Sequence, residues 1–298
     1  MAVRKATHAG SWYLSDGAKL DRQLSGWLKA ADESEPRRAS ARAIIAPHAG
    51  YAYSGPCAAF AYNQIDPSTV KRIFVLGPSH HVYLDGCALT TMKQYETPLY
   101  NLPIDQATVS DLRATKMFQD MSQQTDEEEH SLEMHLPYIA KIMESRKGSF
   151  SIVPVLVGNL SAAKEAEYGS LLSKYLDDPT NLFVVSSDFC HWGKRFNYIY
   201  YNAAWGEIHE SIEKLDRLGM DIIEELNAKK FRAYLQEYGN TVCGRNPISI
   251  LLAMSESLRD RPNIPKMALK FTKYAQSNPC KSTRDSSVSY ASASLVLY

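Results

Sequence analysis

The sequence has no apolar run approaching the length of a membrane span, and its opening MAVRKATHAGSWYLS contains no apolar core of signal-peptide length. These absences lead us to expect a soluble intracellular protein without membrane insertion, cytoplasmic and with the nucleus as a further compartment. Neither sign of charge is in excess: Lys plus Arg and Asp plus Glu number 33 each. That balance argues against nucleic acid or an anionic membrane surface as the bulk partner. Cysteine is sparse. The five in 298 residues, Cys57, Cys87, Cys190, Cys243 and Cys280, are odd in number and form no CxxC pair, which excludes a disulfide framework and reads as reduced thiols. The sequon Asn159-Leu160-Ser161 is read as chance in a chain without a secretion signal. No GxGxxG or GxxxxGK loop supports nucleotide binding, and no Gly/Ser-rich or charged linker divides the chain. With 45% hydrophobic and 22% charged residues, one globular domain spanning residues 1–298 is favoured.

What the sequence does contain is a recurrence. Three apolar runs each end in a small or proline-containing turn followed at once by histidine: ARAIIAPHAGY reaches His48, RIFVLGPSHH reaches His80 and His81, and LFVVSSDFCHW reaches His191. Short runs of Ile, Val, Leu and Phe bounded by Gly, Pro and Ser read as strands buried on both faces, as in parallel sheets. Ligand sites in open parallel sheets lie beyond the carboxyl ends of the strands. Histidine is the commonest metal ligand and the usual proton carrier near neutrality, so three such strand ends point to one polyhistidine pocket.

Alternation of strand and helix runs through most of the chain. Leu20, Leu24, Trp27 and Leu28 share a helical face, and the polar stretch DESEPRRAS reads as the loop that ends it. Strands are expected over 42–47, 71–77, 151–158 and 181–187. Ser54-Gly55-Pro56 reads as a helix start with proline in the first turn, so His48 and His80 should emerge from neighbouring strands of one βαβ unit. Tyr168, Leu171, Leu172, Tyr175 and Leu176 make one amphipathic helix, and Ile208, Ile212, Leu215 and Leu218 another. A further helix over 247–258 is expected to start from Asn246 as cap, with Pro247 behind it. MALKFTKYA and SVSYASASLVLY read as a terminal strand pair. The fold class is therefore α/β, a central mostly parallel or mixed sheet.

Cys243, in NTVCGRNPISILL, lies just before that last helix, where the positive helix end and Arg245 should lower its pKa toward thiolate. Cys57, Cys87 and Cys280 read as buried small hydrophobes. HSLEMH is not HExxH: at i, i+5, His130 and His135 point to different sides of a helix and cannot chelate one ion together.

The segments APHAGYAYSG, GPSHH, EHSLEMHLPY, VSSDFCHWG, VCGRNPI and DSSVSYA, in this order, resemble the Memo family, mediators of receptor-driven cell motility. The likeness runs nearly end to end. It implies a three-layer fold, a central sheet with helices on both faces, shared with class III extradiol non-haem iron dioxygenases. It implies His48, His80 and Cys243 as metal ligands and His191 as the extra pocket histidine, in the place of the dioxygenases' acid/base residue. It also implies binding of redox-active iron or copper, a phosphotyrosine-peptide adaptor role downstream of receptor tyrosine kinases, and links to Rho-family GTPases and the cytoskeleton. The dioxygenases hold Fe(II) through two histidines and a carboxylate, whereas the third position here is Cys243. The softer set favours copper or zinc by affinity, leaves iron open where availability decides, and argues against ring cleavage.

Two readings follow. In one, the pocket serves a signalling module, with Trp12 and Tyr51 as aromatic walls and Lys194 and Arg245 as phosphate partners. In the other it is a metal-dependent oxidoreductase, with His191 as acid/base and Asp188 either orienting it or capping a turn. A zinc hydrolase has the ligands but no carboxylate base at known spacing.

Overall fold

Strands that are apolar throughout occupy the centre of the sheet, where both faces are covered. The computed structural model describes residues 2–37, 39–259, 261 and 266–298. In chain order its strands are Val3–Arg4 (β1), Ala43–Ala46 (β2), Arg72–Pro78 (β3), Cys87–Leu89 (β4), Gln94–Tyr95 (β5), Leu102–Pro103 (β6) and Phe118–Asp120 (β7). Ser151–Val157 (β8), Asn181–Ser186 (β9), His191–Trp192 (β10), Met267–Gln276 (β11) and Ser287–Leu297 (β12) follow. The nine-stranded sheet runs β10-β12-β2-β9-β3-β8-β4-β7, with β11 on β12. Its middle, β2-β9-β3-β8, is parallel and buried along nearly its whole length, as the unbroken apolar runs require. The terminal pair β11 and β12 is antiparallel, as expected, and makes the sheet mixed.

One expectation is corrected here. β2 and β3 are not neighbours, because β9 lies between them and pairs with both. The carboxyl end of β9 therefore enters the site between those of the two histidine-bearing strands.

Helices cover both faces. Gly17–Ser34 (α1), Tyr51–Tyr62 (α2), Gln106–Ala114 (α3), Gln123–Glu128 (α4), His130–Glu133 (α5) and Leu136–Ile142 (α6) come first. Ala162–Asp177 (α7), Ile208–Glu224 (α8), Ala228–Tyr238 (α9) and Arg245–Arg259 (α10) complete the set. α2 packs on β2, β12 and β11 and carries α1 and α6, while α7 and α10 pack on each other and on β9. Asp16 caps α1 by accepting from Lys19 N, and the helix continues to Ser34, into the polar stretch read as a loop. α2 begins at Tyr51, ahead of the expected start, with Pro56 inside it. Ser54-Gly55 serves packing instead: a Cβ on Gly55 would strike the Trp27 ring, so the small residue lets α1 and α2 approach closely. Likewise α10 starts at Arg245, and Asn246 is a helical residue whose Nδ2 donates to Gly158 O at 2.7 Å.

Candidate metal centre

Hydrogen bonds from outside the ring fix which nitrogen of each histidine is free. Ser186, at the end of β9, donates its hydroxyl to Ser131 O at 2.8 Å. It can therefore only accept from His48 Nδ1, 2.6 Å away, which places the proton on Nδ1 and a lone pair on Nε2. The Glu129 carboxylate lies 2.9 Å from His80 Nδ1 and takes the His80 backbone N–H at 2.7 Å, fixing the same tautomer. His191 Nδ1 faces two carbonyls, Phe189 O at 2.9 Å and Thr241 O at 3.1 Å. In the neutral ring, Nε2 is then the lone-pair nitrogen of each of the three imidazoles.

Cys243 completes the inner group. Its Sγ lies 3.3 Å from His48 Nε2 and accepts from Asp188 N at 3.2 Å. Gly244 makes this approach possible: a Cβ there would collide with Ser186 O and the Ser187 side chain, and Gly244 N donates to Ser187 Oγ at 3.0 Å. One donor atom each from His48, His80 and Cys243 lies within 4.8 Å of the others. Bonds of about 2.0–2.3 Å to a shared ion put tetrahedral ligands roughly 3.4–3.6 Å apart, so the three donors close on an ion with small side-chain adjustment. Soft sulfur with two imidazoles also suits a copper, zinc or iron ion by ligand type.

Burial disfavours charge on two of the imidazoles. Burial, then the neighbouring imidazoles His80 and His130, pull His48 well below its ordinary value. Partial burial and then the neighbouring His80 lower His130 to about 3. Against the burial that would raise it, His80 and the N–H groups of His80 and Ser131 draw Glu129 down to about 2. The expectation of a lowered Cys243 pKa is corrected: burial and then the Asp188 carboxylate push this thiol up, and they outweigh the end of α10. A bound cation would supply the positive charge that stabilises the thiolate.

Asp188 does not orient His191. Its Oδ1 accepts from His48 N at 2.9 Å, capping the turn after β2, while His191 is held by main-chain carbonyls. His191 stands on β10 outside the inner donor group. Trp12 is a wall residue. Its ring packs on His130 at 4.6 Å and lines a cavity of about 430 Å³ with Tyr53, Arg195 and Phe196. Tyr51 is not a wall: it is buried, donates its hydroxyl to Met134 O at 2.7 Å and packs among Tyr13, Trp27 and Tyr138. Lys194 is exposed beside this cavity without lining it, and Arg195 takes that place. Arg245 lines a different cavity.

Sequence reasoning missed Glu129, Ser186 and His130. His130 stacks on His80 at 4.4 Å and, with His80 and Glu129, forms a second group of donors within 4.8 Å. Its adjacency to the acidic run at 126–129 was the available signal. His135 points away, its Nδ1 bonded to Tyr62 OH at 2.8 Å, so the two histidines do not share a ligand, as expected.

Fold and site together define an α/β protein with a two-histidine, one-cysteine donor set at the carboxyl edge of a mixed sheet. The chain belongs to the Memo family: residues 4–294 match the Memo-like protein family. It is 58% identical to Protein MEMO1 of Xenopus tropicalis over 99% of this chain and 98% of that protein, and 57% identical to Protein MEMO1 of Homo sapiens over 100% and 99%. Protein memo-1 homolog of Caenorhabditis elegans is 48% identical over 99% of this chain and 83% of its own length. The crystal structure of an uncharacterized protein from Escherichia coli K12 superposes with a TM-score of 0.50 at 12% identity, covering 84% of this chain and 98% of that one, a likeness of fold alone.

Proposed function

We propose that the protein binds a redox-active copper or iron ion through His48, His80 and Cys243 and serves as a metal-handling signalling protein. The observation that supports this most is the hydrogen-bonding around the imidazoles, which engages Nδ1 of His48 and His80 and leaves their other nitrogens for an ion, with His48 Nε2 3.3 Å from Cys243 Sγ. The sulfur favours copper over iron, and zinc is the weaker candidate because the family is associated with redox metals. Competition titration of Cu(I) should show Cys243→Ser weakening affinity by more than about 100-fold, beyond what loss of an outer hydrogen bond does. Unchanged affinity would remove the metal reading.

The adaptor role rests on family membership together with the cavity between Trp12 and Arg195. A phosphotyrosine peptide of a receptor tyrosine kinase would place its phosphate on the Arg195 guanidinium and its ring against Trp12. Rho-family GTPases, the cytoskeleton and cell motility, in the cytoplasm and the nucleus, belong to the same reading. Calorimetry with paired phosphorylated and unphosphorylated receptor peptides tests it, and equal affinity for the two would dismiss phosphotyrosine recognition. A metal-dependent oxidoreductase is the second reading, favoured by the His191 ring, whose Nδ1 is held by main-chain carbonyls while no hydrogen bond engages its Nε2 among the described residues. Oxygen-dependent turnover of a catechol by iron-loaded protein would bring that reading forward; with thiolate in place of carboxylate, we expect none.

A further inference from the structure

The segment from Gly239 to Asn246 has two functional sides. Toward the metal centre it presents Cys243 Sγ beside His48 and Thr241, whose Oγ1 accepts from His191 N at 2.7 Å and whose carbonyl meets His191 Nδ1. On its other side Gly239, Asn240, Thr241, Arg245 and Asn246 line a second cavity of about 420 Å³, closed by residues of α7 and α9.

This cavity carries an excess of positive charge. Arg232 is ion-paired with Glu165, the one carboxylate in its lining. Arg245 is exposed and makes no side-chain hydrogen bond or ion pair among the described residues, so two guanidiniums face one carboxylate. Leu160 and Leu235 supply an apolar wall. A guanidinium fork matches a carboxylate through two parallel hydrogen bonds, and one negative charge balances the cavity where a phosphate dianion would overshoot it.

We propose that this cavity is a binding site for a small organic carboxylate, seated on Arg245 with its apolar body against Leu160 and Leu235, and that its occupancy is transmitted to Cys243 and His191 through residues 239–246. The ligand class follows from charge and shape: one anionic fork, a compact apolar body, no second anionic group. Transmission follows from continuity, since Thr241 contacts His191 directly and lines the cavity itself. Coupling of this kind is reciprocal between the two sites.

Benzoate is a suitable probe, with benzamide as its uncharged analogue and inorganic phosphate as the alternative anion. In ¹H–¹⁵N spectra of the whole protein at constant ionic strength, benzoate should shift the amides of Thr241, Cys243 and His191 saturably, with half-saturation on the order of millimolar for so small a ligand. Benzamide should leave them in place. Arg245→Gln should weaken benzoate about 10-fold or more, the loss expected for a charge-assisted bidentate contact, without changing Tm, and Arg245→Lys should restore part of the affinity. The proposal is overturned by shifts that do not saturate, by equal binding of benzamide, by tighter binding of phosphate than of benzoate, or by native affinity in Arg245→Gln. Saturable binding confined to the cavity, with no shift at Cys243 or His191, would overturn the transmission.

Discussion

Each imidazole of the centre is held from behind by its Nδ1, and the three anchors differ in kind: a serine hydroxyl, a carboxylate and a pair of carbonyls. The carboxylate is the one most exposed to test. Removing Glu129 frees the His80 ring and abolishes the preference for one tautomer, so Glu129→Ala should weaken copper binding about 10–100-fold, the usual effect of losing an outer hydrogen bond. A chromophoric chelator competition reads this directly, and native affinity in the variant would show that His80 is oriented by other contacts. Asp216, a buried carboxyl on α8, offers a separate test. Burial pushes it up to about 6, against hydrogen bonds from Ser289, Asn240, Tyr274 and Cys190 N. A carboxyl raised above its unfolded value of about 3.9 contributes stability that is whole below that value and lost as pH climbs through about 6. At about 1.4 kcal/mol per unit, the loss between pH 4 and 6 is about 3 kcal/mol. Asp216→Asn does not titrate, so its stability relative to the native protein should improve by that amount from pH 4 to 7.5 in urea unfolding, whereas a pH-independent difference would refute the shift. At this scale the sequence disclosed the candidate ligands but not their supports. His48, His80 and Cys243 follow strand ends or precede a helix, positions that local pattern reveals, while Ser186 and Glu129 reach them across long stretches of chain. Tyr51 adjoins the site in sequence, yet the first turn of α2 swings it into the core.

At the scale of elements, the candidate metal centre depends on how closely the start of α10 approaches the end of β9. Gly244 is the point of contact. Gly244→Ala would force Cys243 away from His48 or deform the turn after Ser186, with a stability loss of about 1–3 kcal/mol typical of overpacking. We expect copper affinity to fall together with Tm; retention of both would mean that the backbone yields without disturbing Cys243. The buried strands were legible because apolar runs bounded by Gly, Pro and Ser have few alternatives, and the observed bounds of β2, β3, β8 and β9 lie within about two residues of expectation. Helix starts were less so. Pro56 reads as a first-turn proline but lies inside α2, where the packing of Gly55 on Trp27 outweighs the local preference, whereas Pro247 does stand in the first turn of α10, which begins at Arg245 rather than after an Asn246 cap. The insertion of β9 between β2 and β3 has no local signature, since strand order is decided by packing rather than by the sequence of any one strand.

Across the whole molecule, the N-terminal strand is fastened to the site's outer wall. Arg4, fully buried, pairs with Asp126 at 3.0 Å and Glu133 at 2.7 Å and donates to Glu129 O at 3.1 Å. Breaking such a buried network from one side strands its carboxylates, so Arg4→Ala should cost about 3–5 kcal/mol, measured by chemical denaturation. A loss under about 1 kcal/mol would mean that Asp126 and Glu133 find other partners. The arrangement of β9 bears on how the protein is made. On a ribosome, residues up to His80 emerge with both histidine turns present, but the strand that must separate β2 from β3 begins only at Asn181 and Cys243 comes later still. Early pairing of β2 with β3 would be a dead end that has to open again, and contacts this distant in sequence form slowly. A nascent chain therefore has no completed three-donor group until synthesis has passed the start of α10.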